Sequence, residues 1–126
     1  MNIAKPENTP TLRDIRERKA IRKKKLEASL QTIVKQLKQM GALKIVLFGS
    51  FAEGDVHSWS DLDIICIMPS THSGKEWMRR IYDEVDRDVD CDILAYTSEE
   101  FEKTLPISRF LRYAIKTGRI IYERGQ

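Results

Sequence analysis

The sequence predicts a small mixed β-sheet with helices packed against it, an α/β or α+β fold. Three observations carry that expectation. Apolar residues recur at helical spacing, most cleanly at Leu26, Leu30, Ile33, Val34 and Leu37. Short apolar runs, Lys44 to Phe48, Leu62 to Met68 and Val89 to Ala95, alternate with such segments and are punctuated by glycine, proline and aspartate. The length, 126 residues, suits one domain with a core that needs no staples.

Residues 1–10 hold two prolines and no apolar period, and read as a flexible tail. Thr11 and Asp14 form a capping box that opens a helix, with Asp14 also favoured by the N-terminal dipole. Residues 11–43 are one basic, amphipathic helical unit. Its first part, Arg13 to Lys25, is dominated by charge, with a thin apolar stripe from Leu12, Ile15 and Ile21. Gly41 stops the helix.

Residues 44–126 form the core of the single domain. Lys44 to Phe48 is a strand ending in the turn Gly49-Ser50, and Leu62 to Met68 is a central strand closed by Pro69. Ser73 and Glu76 cap a helix whose Trp77, Ile81 and Val85 face the core. Val89 to Ala95 is the third strand. Thr97 and Glu100 form a further capping box, with Tyr96 and Phe101 as its hydrophobic staple. A last helix carries Phe110, Leu111, Ala114 and Ile115 and stops at Gly118, and Arg119 to Tyr122 makes a final short strand.

Composition narrows the class. Hydrophobic residues make up 41% and charged residues 33%, which is globular rather than disordered. No apolar run approaches the roughly 18 residues of a membrane span, and the N-terminus has no apolar secretory segment, so the expected setting is cytoplasmic, with no membrane partner. Cys66 and Cys91 lie within apolar runs and read as buried reduced thiols. With no CxxC and only His57 and His72, a structural zinc site is excluded.

The net charge of +3 hides an asymmetry. Residues 1–44 carry 12 Lys/Arg against 4 Asp/Glu, and residues 45–126 carry 10 against 15. The basic stretch has two readings: a solvated helix face first, and a nucleic-acid contact second. No aromatic residue lies between Met1 and Lys44, so base stacking from this stretch is not supported.

The chemistry concentrates in Leu47 to Met68. Asp61 and Asp63 are two apart at the opening of a strand and so project from one face. Carboxylates that close repel, and a divalent cation removes that cost. Mg²⁺ takes oxygen ligands, commonly one or two carboxylates plus substrate phosphates. Gly49 lets backbone approach a ligand, Ser50 adds a hydroxyl, and the amides that follow begin a short helix suited to phosphate. Asp88, Asp90 and Asp92 alternate with apolar residues in the third strand. Asp92, furthest into it, is the third carboxylate, placed to bind metal or to accept a proton from a hydroxyl. Asp88 and Asp90 read as solvated strand-entry charges, His57 and Trp59 as loop packing, and Trp77 as core. Ser50 has no evident base, so it is not a nucleophile.

At Gly49, Ser50, Asp61, Asp63 and Asp92 the chain resembles the minimal nucleotidyltransferases of the DNA polymerase beta superfamily. The resemblance covers residues 44 to about 102 well and Gly118 to Glu123 weakly. It implies a Gly-Ser turn that holds a triphosphate, Asp61 and Asp63 as Mg²⁺ ligands, and Asp92 as a further ligand that helps activate an acceptor hydroxyl. The implied reaction moves a nucleoside monophosphate from a nucleoside triphosphate, ATP being expected, to a hydroxyl. It also implies pairing with a small helical protein, and some such proteins act as the antitoxin of the pair. One position departs from the pattern: Glu53 stands where many members carry Arg or Lys. Either Glu53 points away, or Lys75, Arg79 or Arg80 serves the phosphates, or transfer is weak.

Overall fold

A computed structural model describes residues 9–54 and 62–125. Most of the expected tail, together with His57, Trp59 and Asp61, lies outside the described residues. The elements follow in the order α1 (Leu12–Gln39), β1 (Lys44–Phe48), α2 (Gly49–Ala52), β2 (Leu62–Met68), α3 (Gly74–Glu84), β3 (Cys91–Thr97), α4 (Ser98–Thr104), a 3-10 turn (Leu105–Ile107), α5 (Arg109–Thr117) and β4 (Arg119–Glu123).

The four strands form one sheet in the order β3-β2-β1-β4. β1 pairs antiparallel with β2 and with β4, and β2 pairs parallel with β3. The sheet is thus mixed, as expected. The β2–β3 connection crosses over through α3, as a parallel pair requires.

Side chains alternate across the sheet and divide the core in two. One face carries Ile45, Leu47, Leu62, Ile64, Cys66 and Met68, packed against Leu26, Ile33 and Leu37 of α1 and Trp77 and Ile81 of α3. The other carries Val46 and Ile65, packed against Leu111 and Ala114 of α5. β2 is buried from both sides, which explains why Leu62 to Met68 reads as a continuous apolar run rather than an alternating one. Cys66 is a free, buried thiol, pushed up to about 12 by burial first and by its neighbour Cys91 second.

The caps set the helix boundaries. The Thr11–Asp14 and Thr97–Glu100 boxes are both complete, and Tyr96 meets Phe101 edge-on at 5.9 Å between ring centroids. At α3 the expected box is only half made. Ser73 accepts from the Glu76 amide at 3.2 Å, while the Gly74 amide donates to Glu100 Oε1 at 2.9 Å. Glu100 reaches the Gly74 amide, the first of α3, because it comes from α4, which starts beside α3 at the end of the parallel strand pair. Gly41, with φ of 103°, ends α1 in the left-handed region.

β3 starts at Cys91, two residues later than the alternation suggests. Asp88 therefore does not share a strand face with Asp92. It accepts a hydrogen bond from Ser29 Oγ of α1 at 2.5 Å, which holds its carboxyl below the ordinary range.

Candidate active site

The register of the sheet builds the site. Asp63 of β2 pairs with Asp92 of the parallel strand β3, and with Phe48 of the antiparallel strand β1. Register partners on adjacent strands point to the same face and stand about 5 Å apart. The two aspartates are therefore neighbours on the α5 side of the sheet. They lie at the opening ends of β2 and β3. Asp63 is half-buried and Asp92 is exposed.

Phe48 leads directly into Gly49 and α2, which brings the Gly-Ser turn beside Asp63. Gly49 has φ of 81°. A Cβ there would overlap Asp63 Oδ2 and meet Asp63 Cγ at 3.1 Å. The Asp63 carboxylate thus lies directly on the glycine, and glycine is required both by backbone conformation and by space. Ser50 follows at the start of α2, half-buried. α2 is a single turn, so its dipole is slight. It offers the amide groups of an opening turn, which have no partner within a helix.

Glu53 is exposed at the C-terminal cap of α2. The cations proposed to compensate for it are elsewhere. α3 packs on the opposite face of the sheet, and Arg80 is engaged with His72 at 3.1 Å, Glu84 at 3.8 Å and the Trp77 ring at 5.5 Å. Instead, Lys23 of α1 and Arg119 of β4 approach α2, lining with Phe51, Ala52 and Gly54 a groove of about 390 Å³. Sequence reasoning missed these two because they lie far from the motif in the chain, and only the docking of α1 and the edge strand brings them near.

Two of the three expected carboxylates are thus brought together beside Gly49 and Ser50, and Asp61 falls outside the described residues. Among the described residues no three acidic, histidine or cysteine side chains cluster as a metal site. A pair of adjacent carboxylates, one resting on a glycine that opens an amide-rich turn, is nonetheless a fitting donor set for a hard divalent cation bound together with phosphate.

The chain matches the nucleotidyltransferase domain family over residues 27–117. It belongs to that family. The matched segment of this nucleotidyltransferase domain runs from the buried half of α1 to the end of α5, and takes in both strands that carry the aspartate pair. Among solved structures, a chain described as "Crystal structure of the toxin-antitoxin with AMP-PNP" is similar at 24% identity and a TM-score of 0.47, over 76% of this chain and 74% of that chain. No curated protein matches. Among the described residues no helix is long and apolar enough to cross a membrane.

Proposed function

We propose that the protein transfers a nucleoside monophosphate from a nucleoside triphosphate, ATP in the first instance, to a hydroxyl acceptor with the help of Mg²⁺. The observation that supports this most is the register pairing of Asp63 with Asp92 beside Gly49. Asp61, Asp63 and Asp92 would hold the cation, which neutralises charge on the triphosphate. Gly49 lets the backbone of α2 approach the phosphates, and Ser50 Oγ donates a hydrogen bond to them. Asp92, exposed and so reachable by an acceptor, takes the proton from the acceptor hydroxyl. The hydroxyl oxygen then bonds to the α-phosphorus, the bond to the β-phosphate oxygen breaks, and pyrophosphate leaves.

A second reading follows from Glu53, which subtracts from the positive potential near α2. In it the protein is a weakly active or inactive binding partner of a small helical protein, acting as an antitoxin or regulator. One experiment separates the two. Protein and candidate acceptors are incubated with α-phosphate-labelled ATP and Mg²⁺. The first reading expects label on an acceptor, lost in Asp63→Asn and Asp92→Asn. Partner capture that survives both substitutions, without label, supports the second.

A further inference from the structure

Most of the first half of α1 stands away from the body of the protein, with Lys23 near its root lining the groove beside α2. Leu26 is the first residue of the helix to be buried. Before it, from Leu12 to Lys25, only Asp14 and Arg22 are partly covered, while Leu12 is 73% and Ile21 68% exposed. At about 1.5 Å per residue this arm reaches roughly 20 Å from the domain. It carries eight Lys/Arg against Asp14 and Glu17. The family match begins at residue 27 and does not take in the arm.

The placement of the charges decides what the arm suits. At about 100° per residue, Arg16 and Lys23 share one side, Arg13 and Lys24 the next, Arg18 and Lys25 a third, and Lys19 closes the ring. Leu12 and Ile15 lie on one side and Ile21 on the far side, so the thin stripe expected of the arm is broken and gives no continuous apolar seam for a membrane or a second helix. Like charges four apart, such as Lys19 with Lys23, weaken a helix standing alone, and a polyanion relieves that.

We propose that the arm lies in the major groove of duplex DNA, where its ring of cations meets phosphates on both walls. A helix with side chains is about 10–12 Å across, and the groove is about 12 Å wide. A flat acidic surface would engage one side of the ring and leave the rest. The major groove of duplex RNA is too narrow for side chains to read, and single strands call for aromatic residues that the arm lacks. Binding is through phosphates and independent of sequence, and it stands apart from the catalytic reading.

The test uses the full chain and fluorescein-labelled duplex DNA of arbitrary sequence, with anisotropy read across a KCl series. The logarithm of affinity should fall linearly with the logarithm of salt. Replacing Arg16, Arg18, Lys19 and Lys24 together with glutamine, which keeps helix propensity, should make the slope shallower by about 3 to 4. Amide hydrogen exchange of the unaltered protein supplies a readout that needs no variant: DNA should slow exchange across residues 12–25. The proposal is overturned by any of four results. These are equal slopes in the two proteins, no protection of the arm, tighter binding to duplex RNA or single strands than to duplex DNA, and equal capture by anionic vesicles.

Discussion

The carboxylate of Asp63 fills the space in which a side chain at Gly49 would begin. Gly49→Ala therefore does two things at once. It forces a left-handed backbone on an alanine, a cost of about 1–2 kcal/mol, and it drives the Asp63 carboxylate off its seat. Gly54→Ala is the matched control, since Gly54 has a φ of 82° but nothing within 4 Å of the place a Cβ would take. Both variants should lose stability in urea unfolding. Only Gly49→Ala should also lose Mg²⁺-dependent nucleotide binding. Equal nucleotide affinity in the two would show that the seat of Asp63 is irrelevant to the ligand.

Glu53 caps the far end of the turn whose opening amides face the proposed phosphates. Its carboxylate is exposed, so repulsion acts largely through water and amounts to about 1 kcal/mol at low salt. Glu53→Arg should tighten nucleotide binding several-fold in dilute buffer, and the gain should shrink towards nothing near 1 M salt, where screening acts over about 3 Å. A gain that persists at high salt would mean a direct contact with the nucleotide. No gain at low salt would place the side chain away from the phosphates.

Much of this was legible in the sequence because it is local. The Thr11 and Thr97 boxes, the Tyr96–Phe101 staple, the stop at Gly41 and the order of strands and helices all depend on neighbours in the chain. What the sequence did not show depends on elements distant in it. The true start of β3 is set by pairing with Leu62 of β2, and the role of Asp88 by Ser29 of α1. Glu100 of α4 meets the Gly74 amide of α3 for the same reason, while keeping its own box with Thr97. In the site, alternation and resemblance named Asp63 and Asp92, while their register pairing across β2 and β3, and the groove that Lys23 and Arg119 line beside α2, needed the assembled sheet, the packed helix and the edge strand.

Glu100 Oε1 accepts from the amides of Thr97 and Gly74, each at 2.9 Å, and so ties the first turns of α3 and α4 together. The Thr97 amide first, and the Gly74 amide after it, hold the Glu100 carboxyl below its ordinary value of 4.5. A group whose folded value is depressed contributes stability in full above its unfolded value, and loses it as pH falls through the folded one. Glu100→Ala should thus cost about 1 kcal/mol near neutrality, the loss of one cap, and the gap to the parent should close in acid below pH 4.5. Urea unfolding of both proteins across that range reads the difference. Asp14 and Asp88 are depressed too, but they are common to both proteins and cancel. A gap that stays constant into acid would mean that Glu100 acts by packing rather than by charge.

The last prediction concerns the aspartate pair without any nucleotide. Asp63 and Asp92 share a register position and repel when nothing lies between them. In EDTA, Asp92→Asn should unfold at or above the temperature of the parent. Added Mg²⁺ should stabilise the parent, because a ligand that binds only the folded chain adds about 2.7 kcal/mol at a hundred times its dissociation constant. Asp63→Asn should respond least, since its carboxylate is half-buried and fixed against Gly49. Asp92→Asn should keep part of the response, because Asp92 is exposed and water can replace it. The chemistry should divide the other way: nucleotide binding largely survives in Asp92→Asn, and label transfer does not, if its main task is the acceptor proton. A Mg²⁺ response of full size in Asp63→Asn would remove the aspartate pair from the metal site, and leave the family match describing the fold alone.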